Sequence, residues 1–193
     1  LLPCYAVPAP AWVEPFSHNL ALRDFGDQEL SSESYQAGEI YPYFAPLGAG
    51  MVLRREVITA YRDFITKRPD RLNSDRRGKN LLSGGDNDIV FCAWAAGWRL
   101  AYTPTLKLEH LIPANRLKFR YLCRLYQSIN HGWVAALDVQ GIRPWKPIPR
   151  WSLPLRKLLG FVRRRAWASR INYIFWRGDC GKFDGQADLS LRN

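Results

Sequence analysis

Residues 83–97 read Ser83-Gly84-Gly85-Asp86-Asn87-Asp88-Ile89-Val90-Phe91-Cys92-Ala93-Trp94-Ala95-Ala96-Gly97. Two glycines and an acidic cluster lead into an apolar run that a further Gly closes. This pattern predicts a buried helix over residues 88–96, entered through a tight turn and stopped at Gly97. Acids at such a helix start have two readings. Asp86 or Asn87 caps the helix, where its dipole and free amides favour negative charge. Alternatively, a carboxylate held at the loop–helix junction beside a Gly gap takes a proton from a bound hydroxyl as a general base. Both readings stay open on spacing alone.

Upstream, Pro46-Leu47-Gly48-Ala49-Gly50 precedes the apolar run Met51-Val52-Leu53. That order predicts a small-residue turn into a short buried strand, at which a substrate can lie against the backbone. Residues 56–67 read as a helix, with Val57, Tyr61 and Phe64 at helical spacing. Residues 68–80 read as a charged loop containing Arg76 and Arg77. Further back, prolines at 3, 8, 10 and 15 punctuate the chain, leaving a short helix at 16–22 and an irregular loop at 26–44.

Downstream, residues 98–102 and 106–110 read as short strands, the second ending at His110 before Pro113. A His at a strand end is either a structural residue or a ligand for a metal or a diphosphate; His18 and His131 have no comparable setting. Residues 116–137 form a long predicted helix whose Leu117, Tyr121, Leu125, Ile129 and Trp133 share one slowly turning face. A Pro-containing linker (138–150), a basic amphipathic helix (156–176) and a Gly-rich, loop-like tail (178–193) complete the pattern. The predicted class is therefore α/β with few short strands, divided into 1–137 and 138–193.

With 47% hydrophobic and 23% charged residues over 193 positions, the chain has the composition of a folded domain rather than a disordered one. No run of about 18 apolar residues predicts a spanning helix. The start Leu1-Leu2-Pro3-Cys4 reads as a cut end. The net charge of +11 is unevenly placed: residues 116–178 hold 14 Lys/Arg and a single acid, Asp138. Such a block suits an anionic partner, and the Trp residues within it suit a membrane interface. Cysteines 4, 92, 123 and 180 show no metal-ligand spacing and are expected to be reduced.

Taken in order, residues 48–55, 83–90, 96–104 and 106–113, with Tyr121-Leu122-Cys123-Arg124-Leu125, resemble the C-terminal part of a family-2 glycosyltransferase of GT-A fold. The resemblance covers about residues 44–135. It implies inverting transfer from a nucleotide-sugar donor to a hydroxyl of a saccharide or lipid-linked acceptor. Catalysis falls on the second acid of a pair that opens the helix. Aligned on the glycines, that acid is Asp86, with Gly85 standing where the family more often has a first acid; Asp88 remains the other choice. The resemblance also implies substrate contacts at Gly48, Ala49, Gly50, Gly84, Gly85 and Trp98, and a divalent metal (Mg or Mn) with His110 on the metal or diphosphate.

The family's nucleotide-binding half, with its Asp-x-Asp metal motif, has no counterpart here. The expectation is accordingly a fragment, inactive alone, that shares the metal with a missing N-terminal half. The four reduced cysteines set the further expectation of a cytoplasmic location, with residues 150–178 on the anionic inner face of a membrane and no nucleic acid bound. The rival readings are a basic module that binds nucleic acid or an anionic membrane without catalysis, and a non-catalytic scaffold.

Overall fold

The computed structural model describes residues 1–33, 41–69, 71 and 84–191. It is mixed α/β and 57% helical, with few short strands. Strand β1 (Leu2–Tyr5) pairs in parallel with β4 (Glu109–Ile112), Pro3 opposite His110. Strand β2 (Leu30–Ser32) pairs antiparallel with β3 (Leu100–Tyr102). The remaining framework is helical: α1 (Arg55–Lys67), α2 (Gly85–Ala95), α3 (Phe119–Val139), α4 (Leu153–Arg163) and α5 (Arg170–Leu189).

Two apolar clusters hold these elements. Val13, Phe16 and Leu20 enter the first from a 3-10 helix, Ala11–Leu20, and meet Ile112, Leu122, Leu125 and Ile174 there. Each such side chain, fully buried, contributes on the order of 1.5–3 kcal/mol. The second cluster joins Ala45, Val57, Val90, Ala93, Trp94 and Leu100, fixing α1 against α2 and β3. The first cluster draws residues from both sides of position 137, which lies within α3. The division drawn there is therefore not a break in packing.

The predicted helix of residues 16–22 is instead the 3-10 helix, which starts at Ala11, tolerates Pro15 and ends where Ala21 turns left-handed at φ 62°. The run 51–53 pairs with no strand among the described residues. Met51 and Leu53 pack on the second cluster while Val52 is 83% exposed. Alternation puts one residue outward, so the run is extended but not buried throughout. The predicted loop 26–44 contains β2, whose residues 30–32 are tied to β3. Helix α2 begins at Gly85, three residues earlier than the apolar run indicates. It stops as expected: Gly97 is left-handed (φ 83°), and the Trp98 N–H returns to the Ala93 carbonyl at 3.0 Å.

The C-terminal third departs most from expectation. The predicted helix 156–176 is two helices. Arg165, left-handed at φ 49°, ends α4: its own N–H bonds the Val162 carbonyl and that of Ala166 bonds the Phe161 carbonyl. Ser169 then caps α5, its hydroxyl accepting from the Asn172 N–H at 3.1 Å. The tail, expected to be loop-like because of its glycines, is helical to Leu189. Gly178, Gly181 and Gly185 fall on one face of α5 and let it approach α3. A Cβ at Gly181 would collide with the Gln127 carbonyl oxygen, and one at Gly185 would stand 2.8 Å from Val134 Cβ. The helix penalty of each glycine is about 1 kcal/mol, and close packing offsets it. The linker is also seated: the Ile148 N–H bonds the Gln186 carbonyl at 3.3 Å, and the Lys182 ammonium lies 4.1 Å from the Trp145 ring centre.

The four cysteines are free, Cys123 and Cys180 being buried. Burial pushes the Cys92 thiol up to about 12 and Cys180 to about 11, so neither is a ready nucleophile. Among the described residues no helix is long and apolar enough to cross a membrane.

Gly181→Ala is expected to cost about 1–3 kcal/mol of unfolding free energy in denaturant titration, because the obstructing atom is backbone. Gly160→Ala, on α4, is the control. Its Cβ would meet only the Trp176 and Phe183 side chains, at an ordinary 3.6 and 3.7 Å, so stability should stay level or rise by up to about 1 kcal/mol.

Candidate active site

The turn 47–49 separates two cavities. The smaller, about 490 Å³, lies between the end of the 3-10 helix, the start of α2, β4 and one face of α3. Its floor is the α3 stripe Tyr121, Leu125, Ile129 and Trp133, four-residue spacing having set these on one face. Gly48, Ala49, Asp86 and His110, distant in sequence, all line it. The larger, about 910 Å³, is more apolar and includes Gly50, Val52, Trp98 and Leu100 in its wall, with Gly48 and Ala49 shared. Gly84 and Gly85 are buried at the head of α2 and line neither cavity.

Asp86 and Asp88 are both in the first turn of α2. Two helical steps rotate the chain by about 200°, so the two carboxylates face opposite ways. Asp86 is half-buried at the cavity. Its Oδ1 accepts from the Asn87 N–H at 3.0 Å, and its Oδ2 accepts from the Gly48 N–H at 3.4 Å. Asp88 points into the core with no exposed surface. Its oxygens accept from Arg71 Nε (2.9 Å) and Nη2 (2.8 Å), a two-pronged pair that is itself buried. Burial raises the Asp88 carboxyl, and Arg71 opposes that rise. Asp88 holds α2 to residue 71 and lines neither of the two cavities. Of the two candidate bases, Asp86 alone is placed to meet a ligand.

Around Asp86 stand groups the sequence did not single out. Arg23 Nη1 donates to the Ala45 carbonyl at 2.7 Å, and Nη2 lies 3.2 Å from His18 Nε2. Burial and the Arg23 charge lower His18, which is therefore a neutral acceptor here. Burial and then the Asp86 charge push the Tyr41 phenol well above its ordinary value, so it remains an O–H donor. The Tyr41 hydroxyl and Arg23 Nε are buried without a hydrogen-bond partner among the described residues. Each such group costs about 1–3 kcal/mol unless something polar arrives to meet it. No local motif marks Arg23 or Tyr41; the fold alone brings them to the cavity.

His110 alternates inward on β4 with Ile112, while Glu109 and Leu111 face out. Arg116 Nη1 lies 3.5 Å from His110 Nε2, at the same cavity. No three His, Cys, Asp or Glu side chains gather to hold a metal among the described residues. A guanidinium beside the imidazole suits an anion better than Mg or Mn, which favour clustered oxygen donors. The described residues thus do not fit a resident divalent metal at His110. Arg76, Arg77 and Ser83 lie outside the described residues.

The basic block is partly neutralised within the fold. Arg143 pairs with Asp138, Arg150 with Asp188, Lys157 with Asp184 and Arg164 with Asp179. Partial burial acts to raise Asp188, but hydrogen bonds from Arg150 and His131 hold it below its ordinary value. No family model matches the chain, and no curated protein or solved structure does.

Asp88→Ala should lose about 3–5 kcal/mol in denaturant titration, since it strands a buried guanidinium, whereas Asp86→Ala should stay within about 1 kcal/mol of the parent. The His18 linkage has a definite sign. The folded chain binds its proton less readily than the unfolded chain, whose value is about 6.5. Its contribution is therefore complete above about pH 6.5 and declines as pH falls through that value toward the lower folded one. His18→Asn should flatten that slope in stability measured from about pH 8 to 5.

Proposed function

We propose that the smaller cavity is the acceptor side of an inverting sugar-transfer site, as the resemblance to family-2 glycosyltransferases implies, with Asp86 as the general base. The observation that carries this reading is that Gly48, Ala49, Asp86 and His110, picked out in sequence, line one cavity. A carboxylate on the wall of this cavity, fixed by two backbone N–H groups, accepts a proton from an acceptor hydroxyl as it attacks the anomeric carbon. The unpartnered Tyr41 hydroxyl and Arg23 Nε are donors that hydroxyls of a saccharide would satisfy. Arg116 supplies positive charge, and His110 beside it a ring nitrogen for hydrogen bonding, to the departing diphosphate.

A nucleic-acid module is less well supported, because α5 and Asp138 take up four of the cations that would form a binding stripe.

The test is release of nucleoside diphosphate from a panel of nucleotide sugars by the full-length gene product. Asp86→Asn should lower turnover about 10²–10⁴-fold while acceptor binding changes little. Parent-like turnover in Asp86→Asn, in a protein that is active, contradicts the reading.

A further inference from the structure

Helix α4 is amphipathic in the opposite sense to a helix on a water-facing surface. Its polar contacts point inward. Lys157 Nζ reaches Asp184 at 2.6 Å, Arg164 Nε reaches Asp179 at 2.6 Å, and Trp176 Nε1 donates to the Lys157 carbonyl at 2.8 Å, all on α5. Leu153 and Phe161 also face the fold, Phe161 edge-on to Trp176, but its other apolar side chains point outward. Leu155, Leu158, Leu159 and Val162, at i, i+3, i+4 and i+7, are 54–59% exposed. Trp151 and Trp167 flank the helix at its two ends, 81% and 62% exposed. Scattered exposed leucines need no explanation, but a continuous stripe of four bracketed by two tryptophans is an interaction surface.

The surrounding charge indicates the partner. Arg156, Arg163 and Arg165 are exposed and have no acidic partner among the described residues. No Asp or Glu occurs between positions 139 and 178. At 11 residues, α4 extends about 16 Å, half the thickness of a bilayer core. It can lie in an interface and cannot cross it. A stripe of Leu and Val, cationic neighbours and terminal Trp side chains together match the acyl boundary and headgroups of an anionic bilayer.

We infer that the outward face of α4 is a docking surface for anionic lipid bilayers, with Leu155, Leu158, Leu159 and Val162 entering the acyl boundary and Arg156, Arg163 and Arg165 meeting acidic headgroups. The protein's salt bridges to α5 fix this orientation, since rolling α4 over would unpair Lys157 and Arg164 from their acids. The inference is independent of the sugar-transfer reading, because it draws on none of the cavity residues.

The experiment is sedimentation of the protein with vesicles of phosphatidylcholine alone and of phosphatidylcholine with about one-third phosphatidylglycerol. Binding to the anionic vesicles at least about ten-fold tighter than to the neutral ones, weakening with salt, is expected. Leu155→Glu with Leu159→Glu should abolish it with an unchanged circular dichroism spectrum, since both side chains are exposed. Arg156→Gln and Arg163→Gln, which leave the apolar stripe intact, should each weaken it about five-fold. No binding, or equal binding to both vesicle types, overturns the inference. So does light scattering that shows a dimer in the parent and a monomer in the Leu→Glu variant, which would make the stripe an interface between copies.

Discussion

The close contact of α3 with α5 is the constraint on which both the smaller cavity and the outward face of α4 depend. Gly178, Gly181 and Gly185 remove side chains from the one face of α5 where α3 lies. Across the contact, Tyr126, Gln127 and Val134 occupy the space a Cβ would need. Around it, Gln127 is held by Arg177 and by Asp184 through Gln127 Nε2 at 3.1 Å, and His131 pairs with Asp188 at 2.8 Å. With one face of α3 committed to α5, another, Tyr121 to Trp133, is left to floor the cavity. Another part of α5 carries the acids that draw α4 in by its charged side. The cavity and the exposed apolar stripe are thus two consequences of a single helix pair.

Charge placement does a second structural job at both sites. Asp88 and Arg71 neutralise one another in the core and fix the rotation of α2. That rotation turns Asp86 to the cavity, since side chains two positions apart on a helix lie on opposite faces. On α4, the pairs to Asp179 and Asp184 set rotation in the same way and turn leucines outward. In each case an ion pair on the inner side decides what the outer side presents. Buried pairs are modest contributors to net stability, and their effect here is on orientation.

Long periodic segments were the legible part of the fold. The α3 stripe, α1 and the Gly97 stop follow from spacing and cap chemistry, whereas the stripe's role as a cavity floor comes only with the fold. What failed was context. The glycines of residues 178–185 read as a loop because intrinsic propensity penalises them, and only the approach of α3 reverses that. The break between α4 and α5 hinges on Arg165 in a left-handed conformation that sequence gives no reason to expect of an arginine. The choice between Asp86 and Asp88 stays open in the sequence because Gly85 stands where the resembled family more often has a first acid, and only the folded helix shows which way each carboxylate faces. Of the site, Gly48, Ala49, Asp86 and His110 were readable and converge. Gly50 and Trp98 belong to the neighbouring cavity, and Gly84 and Gly85 are buried support. Tyr41, Arg23 and Arg116 arrive through tertiary packing alone.

The most direct test of the helix pair is native-state hydrogen exchange resolved over residues 170–189. If α5 is seated on α3 through its glycines, amides from 178 to 189 exchange only through global opening, with protection matching that of residues 122–137. Exchange of those amides on the timescale of an unstructured tail, while α3 stays protected, would contradict the account, and with it the support of both the cavity floor and the orientation of α4.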